Sequence, residues 1–200
     1  MHAARLDPET LLSAYAQGAF PMTDADGVTR WYTADPRGVI PLDDAFTIHR
    51  SLRQVLRHGG FETRINAAFD AVIRACASVP RDGEGAGTWI GEELIQAYTR
   101  LHQLGYAHSV EAWHEGELVG GLYGVSLGGA FFGESMFHTR RDASKVALVG
   151  LVQRMRERKF TLLDSQASTP HLKTFGCTDV PADKYMRLLN AALTKECVFD

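Results

Sequence analysis

The sequence predicts a mixed α/β fold of the α+β kind: a mostly antiparallel sheet covered by helices, with a small lobe ahead of it. Three observations carry that expectation. Between residues 107 and 137, three apolar runs are separated only by Glu115-Gly116 and Leu127-Gly128, the spacing of an antiparallel meander. The segment that follows repeats Val146, Leu148, Val149, Leu151, Val152 and Met155 at helical intervals. The first 60 residues break this pattern with prolines and turn residues.

Taken in order, Asp7-Pro8 reads as N-cap and first helical residue, and a helix over Glu9–Gln17 ends at Gly18. Ala19-Phe20-Pro21-Met22 leads to a turn through Asp24–Gly27. Residues 31–41, interrupted by Pro36 and Pro41, suggest a short edge strand with loops. A helix over 48–58 completes a small N-terminal domain, residues 1–60, bounded at Gly59-Gly60. The larger domain, 61–200, opens with a strand at Phe61–Ile65 and a helix capped by Asn66 that reaches Ser78. Pro80–Gly87 is expected to be a flexible loop, and Gly91–Leu104 a helix closed by Gly105. The meander comprises strands at 107–114, 117–126 and 129–137. A helix over 143–159, a buried strand over 160–165, a helix stub over 169–175 and a closing helix over 185–194 complete the chain.

A chain of 200 residues, 45% hydrophobic and 22% charged, is long enough to bury a core. No apolar run reaches membrane-spanning length, and Met1–Pro8 has no apolar stretch of the kind a signal peptide needs. Cys76, Cys177 and Cys197 show no metal-like spacing, so reduced thiols of a cytoplasmic protein are expected. His102 and His108 are spaced for neither a helix face nor a zinc finger, so no metal is expected. The net charge of −3 argues against indiscriminate coating of nucleic acid. Arg50, Arg53 and Arg57 nevertheless share one helix face: a solvated stripe, or a short grip on phosphates.

Function is expected where Gly133-Glu134-Ser135-Met136-Phe137 and Asp164-Ser165-Gln166 meet. Asp164 and Gln166, two apart on a strand, project to one face. Met136 and Phe137, with Phe131, Phe132 or Leu122, would form an apolar cup beside that polar pair. Such a cup suits a site that grips a hydrophobic acyl group and manages a proton. Alternation alone would make half of these strand residues ordinary core, and Asp164 with Gln166 would otherwise be a satisfied pair closing a strand. Trp89, after a Gly-rich stretch, is either a core anchor or a stacking platform for a nucleobase.

Several blocks, in order, resemble one family: Tyr15–Pro21, Trp31–Arg37, Thr88-Trp89-Ile90, His108–Trp113, Leu118–Gly124, Gly133–Phe137, Ala143-Ser144-Lys145 and Asp164-Ser165-Gln166. They are similar to those of the leucyl/phenylalanyl-tRNA–protein transferases, over about residues 11 to 190. The resemblance implies a larger domain of acyl-CoA N-acyltransferase-like fold behind a small N-terminal one. It implies a cytoplasmic enzyme that moves leucine or phenylalanine, less readily methionine, from aminoacyl-tRNA to the α-amine of an N-terminal Arg or Lys. The product would be marked for N-end-rule degradation. No cofactor or metal is implied, and a monomer is the default.

The same resemblance makes Asp164 and Gln166 catalytic: Gln166 orients the amine and Asp164 faces the cationic N-terminus. Glu134 and Ser135 bond the ester or shape the cup. Trp89, Trp31 and the Arg50, Arg53, Arg57 stripe contact the 3′ end and acceptor stem. The chain departs from the family in having Met22 where a Trp usually follows Phe-Pro, Tyr32 and Ala34 in the second motif, and Gln54 and His58 in a thinner basic cluster. It also lacks the family's leading Gly-Gly-Asp block.

Three rival readings stand beside this one. An acyl-CoA-dependent N-acetyltransferase needs a pyrophosphate loop at a helix N-terminus, and residues 138–142, His-Thr-Arg-Arg-Asp, are not one. A serine hydrolase at Ser135 lacks the glycine two residues on, where Phe137 stands. A catalytically silent RNA-binding relative is supported only by Met22 and the weak basic stripe.

Overall fold

The computed structural model of the chain describes residues 6–79 and 89–200, so the expected loop over 80–87 and the N-terminal residues 1–5 lie outside the described residues. The helices are α1 (Pro8–Ala16), α2 (Arg50–His58), α3 (Phe69–Ser78), α4 (Glu92–Gln103), α5 (Ala143–Glu157), α6 (Pro170–Lys173) and α7 (Ala182–Leu193). The strands are β1 (Phe20–Thr23), β2 (Thr29–Tyr32), β3 (Arg37–Ile40), β4 (Phe61–Ile65), β5 (Ala107–His114), β6 (Glu117–Leu127), β7 (Ala130–His138), β8 (Leu162–Gln166) and β9 (Thr178–Val180). No helix among the described residues is long and apolar enough to cross a membrane.

Local chemistry explains most boundaries. Asp7 accepts from the Thr10 N–H at 3.0 Å and Pro8 occupies the first helical position, so α1 starts where its backbone needs help least. Gly105 (φ 81°) and Gly116 (φ 82°) supply the left-handed residues that end α4 and turn β5 into β6. Asn66 does not cap α3. Its backbone is left-handed (φ 55°), and its Oδ1 accepts from the Ser109 N–H at 3.0 Å. The helix begins at Phe69 instead, with the N–H groups of Ala67 and Ala68 directed at the buried Glu111 carboxylate.

β1 and β2 form a two-stranded hairpin; the other strands make one sheet in the order β4-β5-β6-β7-β8-β3-β9. Neighbours are antiparallel except β7 and β8, which run parallel and are joined by α5, the crossover that parallel strands require. Side chains alternate between faces, giving two large apolar clusters. One holds Tyr15, Phe69, Tyr98, Tyr123, Phe132 and Leu189, from α1, α3, α4, α7 and the sheet. The other holds Leu122, Phe131, Leu148, Leu151, Leu163 and Leu52, with α5 and α2.

β3 corrects the expectation of an edge strand: it lies between β8 and β9, paired on both sides. Pro36 and Pro41 stand just outside its ends, so neither removes a donor from its ladder. The boundary expected near residue 60 therefore does not coincide with a sheet boundary, and Leu11, Tyr15 and Phe20 share a cluster with the main sheet. β9, which pairs with β3, carried no strand signal of its own.

Gly38 in β3 is tightly packed beside the functional region. A methyl group there would stand 2.5 Å from the Ala167 carbonyl carbon and 2.7 Å from the Ser168 nitrogen. Gly38 also pairs with Gln166. Gly38→Ala is therefore expected to displace residues 166–168 and to cost about 1–3 kcal/mol, read as a lower urea midpoint. An unchanged midpoint would refute the tight packing.

Candidate functional site

β7 and β8 pair at Ala130–Leu162, Phe131–Leu163 and Phe132–Asp164 and no further. Beyond that rung β7 follows β6, while β8 stays with β3 and turns left-handed at Gln166 (φ 56°). Between the parted strands lies a cavity of about 420 Å³, a size that encloses a small ligand. Its apolar wall includes Ile40, Leu122, Met136, Leu148, Leu151 and Leu163; its polar lining includes Glu134, Ser135, Asp164, Gln166 and His171, and Met22 and Trp89 line it as well.

Glu134 enters this lining because β7 bulges there. Tyr123 pairs with Ser135 and Gly124 with Gly133, so Glu134 is the extra residue without a partner on β6. A bulge re-aims a side chain and breaks the alternation beyond it. Its Oε1 accepts from the Tyr15 hydroxyl at 2.8 Å and from Gln166 Nε2 at 3.0 Å; its Oε2 accepts from the Tyr98 hydroxyl at 3.0 Å. The two tyrosine oxygens are themselves 2.5 Å apart. Burial pushes the Glu134 carboxyl up to about 7, against the lowering effect of the tyrosine hydrogen bonds.

Asp164 is wholly buried and so is its partner, Arg37. Oδ1 accepts from Arg37 Nε at 2.9 Å and from the Gln166 N–H at 2.8 Å. Oδ2 accepts from Arg37 Nη2 at 2.7 Å and from the Tyr185 hydroxyl at 2.6 Å. A carboxylate has about four lone-pair sites, and these four donors occupy them. Arg37 Nη1 donates to the Gly18 carbonyl at 2.8 Å, and its guanidinium carbon lies 4.9 Å from the Phe20 ring centre and 4.6 Å from that of Tyr185. Burial works against the Arg37 charge, but the hydrogen bonds and charge of Asp164 outweigh it and hold that pKa above the ordinary arginine value. The same burial, with the neighbouring Asp164 charge, pushes the Tyr185 hydroxyl well up.

The structure thus brings Asp164, Gln166, Glu134, Ser135, Met136, Leu122 and Trp89 together around one cavity. It corrects the rest of the expected cup. Phe132 is fully buried with its ring 4.9 Å from Tyr15, on the opposite face of the sheet from Met136. Phe137 is buried on that same face, because the bulge at Glu134 shifts the alternation. Phe131 packs 5.0 Å from Phe199 in the core. Trp31 lies in a separate surface depression with Asp7, Glu9 and Gln17 and is not part of the cavity lining. Arg50, Arg53 and Arg57 are exposed on α2, whose Leu52 is buried; none lines the cavity, and Arg53 Nε donates to the Ile48 carbonyl at 2.8 Å.

Sequence reasoning assigned no role to Tyr15, Tyr98, Arg37 or Tyr185. One signal was available for the three tyrosines: each falls on the apolar face of a helix, where a buried hydroxyl needs a partner. Glu111 carries a carboxylate too, but it is committed elsewhere. It is fully buried and accepts from the Ser109 hydroxyl at 2.6 Å.

The family model described as leucyl/phenylalanyl-tRNA protein transferase matches residues 39–190, and the one for that family's N-terminal domain matches residues 4–35. Relatives bearing the family name come from several bacteria. That of Akkermansia muciniphila is 51% identical, over 96% of this chain and 98% of its own length. That of Herpetosiphon aurantiacus is 51% identical over 98% of both, and that of Rubrobacter xylanophilus is 52% identical over 98% of this chain and 99% of its own. Among solved structures, L-PGS from Bacillus licheniformis aligns with a TM-score of 0.45 at 14% identity, covering 82% of this chain and 52% of that one. That likeness is too distant to bear on the reaction.

Removing one member of the Arg37–Asp164 pair leaves the other buried and uncompensated. Arg37→Met and Asp164→Asn are each expected to destabilise by about 3–5 kcal/mol. In a double-mutant cycle by urea unfolding, the two losses are expected to fall well short of additive. Additive losses would show that the pair does not act as a unit.

Proposed function

The chain belongs to the leucyl/phenylalanyl-tRNA–protein transferase family, and on that premise we propose how its cavity performs the transfer and which substrates it takes. It is an aminoacyltransferase. The donor is leucine or phenylalanine, less readily methionine, esterified to tRNA; the acceptor is the α-amine of a protein beginning with Arg or Lys. The product carries a destabilising N-terminus, and the enzyme works as a cytoplasmic monomer.

The observation that supports this reading is an apolar cavity with Gln166 and Glu134 in its lining. Leu122, Met136, Leu148, Leu151 and Leu163 suit an unbranched, branched or aromatic side chain alike, and a flexible thioether adapts to each. Such walls separate side chains differing by a methylene by only about 1–3 kcal/mol, which fits an enzyme with several donors.

An aminoacyl ester is already activated, so no covalent nucleophile is needed. The work left is to orient the ester and the amine and to move a proton. Asp164, with its oxygens filled, does not meet the amine. It is a positioning residue, holding the Gln166 N–H and so the left-handed turn at that residue. Gln166 gives its amide nitrogen to Glu134, leaving its carbonyl oxygen to accept from the incoming amine.

Trp89 and Met22 line the same cavity, and the Thr23 N–H donates to the Trp89 carbonyl at 3.0 Å. They hold the terminal adenine between a ring and a thioether. Arg50, Arg53 and Arg57 grip the acceptor stem, while Trp31, which is not among the residues lining the cavity, takes no part in holding the 3′ end.

Incubation with labelled leucyl-tRNA should label a peptide beginning with Arg and leave one beginning with Ala unlabelled; no label on either would sink the reading. Met136→Ala is expected to lower kcat/KM for leucine by about 5–150-fold, the equivalent of about 1–3 kcal/mol. Replacing Arg50, Arg53 and Arg57 with Ala should lower the log–log salt slope of tRNA binding by about 0.9 for each duplex phosphate that is no longer neutralised. An unchanged slope would place the acceptor stem elsewhere.

A further inference from the structure

We propose that the Glu134 carboxylate, with Tyr15 and Tyr98, is the proton acceptor for the attacking amine. This deepens the transferase reading and rests on it. Three oxygen–oxygen contacts close a ring: Tyr15 to Tyr98 at 2.5 Å, Tyr15 to Oε1 at 2.8 Å and Tyr98 to Oε2 at 3.0 Å. Each needs one hydrogen, and the two hydroxyls supply only two. With Glu134 ionised, one contact is two lone pairs facing each other. With Glu134 protonated, all three are filled.

The direction of the ring follows from the other donors. Oε1 already accepts from Tyr15 and from Gln166 Nε2, so the added proton belongs on Oε2, facing Tyr98. Tyr98 then donates to Tyr15, and Tyr15 to Oε1. Burial holds both hydroxyls well above the usual tyrosine value, so they stay neutral and the carboxyl is the group that changes charge. The charged and titratable groups around it are Tyr15 from α1, Tyr98 from α4, Asp164 from β8 and Arg37 from β3. The last two are already paired with each other. The carboxyl, pushed up by burial to about 7, is poised to take and release a proton near neutrality.

The step balances. The N–H bond of the acceptor ammonium breaks, its proton goes to Glu134, and the freed nitrogen lone pair attacks the ester carbon. As the carbon–oxygen bond to the ribose breaks, a second proton leaves the nitrogen for the ribose oxygen. Glu134 then returns its proton to solvent.

Two measurements test this. In single-turnover transfer of leucine to an Arg-starting peptide, the wild-type rate should rise through one ionisation near pH 7. Glu134→Gln should lose that limb and fall on the order of 100-fold or more. Tyr98→Phe, which breaks the ring, should displace the limb along the pH axis. In ¹³C NMR of glutamate-labelled enzyme, one carboxyl absent from Glu134→Gln should titrate near 7. A Glu134→Gln enzyme with the wild-type rate and profile, or a carboxyl titrating near the ordinary value of about 4.3, overturns the proposal. Should Glu134→Gln fail to fold, an unshifted limb in Tyr98→Phe overturns it equally. A wild type that transfers no leucine sinks the substrate reading instead, and the carboxyl titration, which needs no substrate, decides the proton-sharing ring by itself.

Discussion

One buried guanidinium ties the molecule together at its functional end. Arg37 leaves β3 and meets, within hydrogen-bond or ring distance, the Gly18 carbonyl after α1, Phe20 of β1, Asp164 of β8 and Tyr185 of α7. Desolvating an arginine and an aspartate costs several kcal/mol per ion, which only a dense set of hydrogen bonds offsets. That requirement is what fixes the geometry. The fork of the guanidinium can satisfy both Asp164 oxygens only if β3 and β8 keep their register, and lysine has no such fork. The pair therefore acts on position more than on net stability. It dictates where β8 ends, and through the Asp164–Gln166 backbone bond it holds a left-handed residue at the cavity.

The cavity follows from two departures from regular strand structure, both adjacent to that clamp. β8 stops pairing with β7 after Asp164, and β7 takes on an extra residue at Glu134. Either alone would open little space. Together they separate the strands and turn a carboxylate toward the gap, while α5 supplies Leu148 and Leu151 as the apolar wall. A site that receives an ester with its energy already stored needs such a hollow and little else. This is why its polar groups orient and titrate, with no nucleophile called for.

How much of this was legible in the sequence depends on the distance over which the causes act. Signals carried by neighbours read well: Asp7-Pro8 at the start of α1, Gly105 and Gly116 at turns, and the meander of β5 to β7. The lining residues Met136, Leu122, Glu134 and Gln166 were also visible, because the motif blocks and the polar-beside-apolar pattern mark them. What failed was set by contacts far apart in the chain. Arg37 and Asp164 are 127 residues apart and Tyr15 and Glu134 are 119 apart, so neither pair leaves a local trace. Phe132 and Phe137 were misplaced because the expected cup joined neighbours of both parities on one strand, and only pairing with β6 reveals the bulge that decides which face each takes. β3 read as an edge because its flanking prolines look the same whether they bound a strand or interrupt one.

The charges of the cluster make a final connection between stability and selectivity. Arg37 and Asp164 cancel, so the wall is neutral while Glu134 holds a proton and carries one negative charge when it does not. An unbalanced charge beside leucines is costly, which is the physical reason the carboxyl resists ionisation. An incoming ammonium reverses that balance: it supplies the missing positive charge and, in the same place, a proton for the carboxylate to take. On the proposed reading, an acceptor is thus bound best in the protonation state that must be undone for attack, and the group that recognises its charge is the group that removes it. An acceptor whose terminal nitrogen is blocked offers neither the charge nor the proton, so recognition and chemistry reject it together.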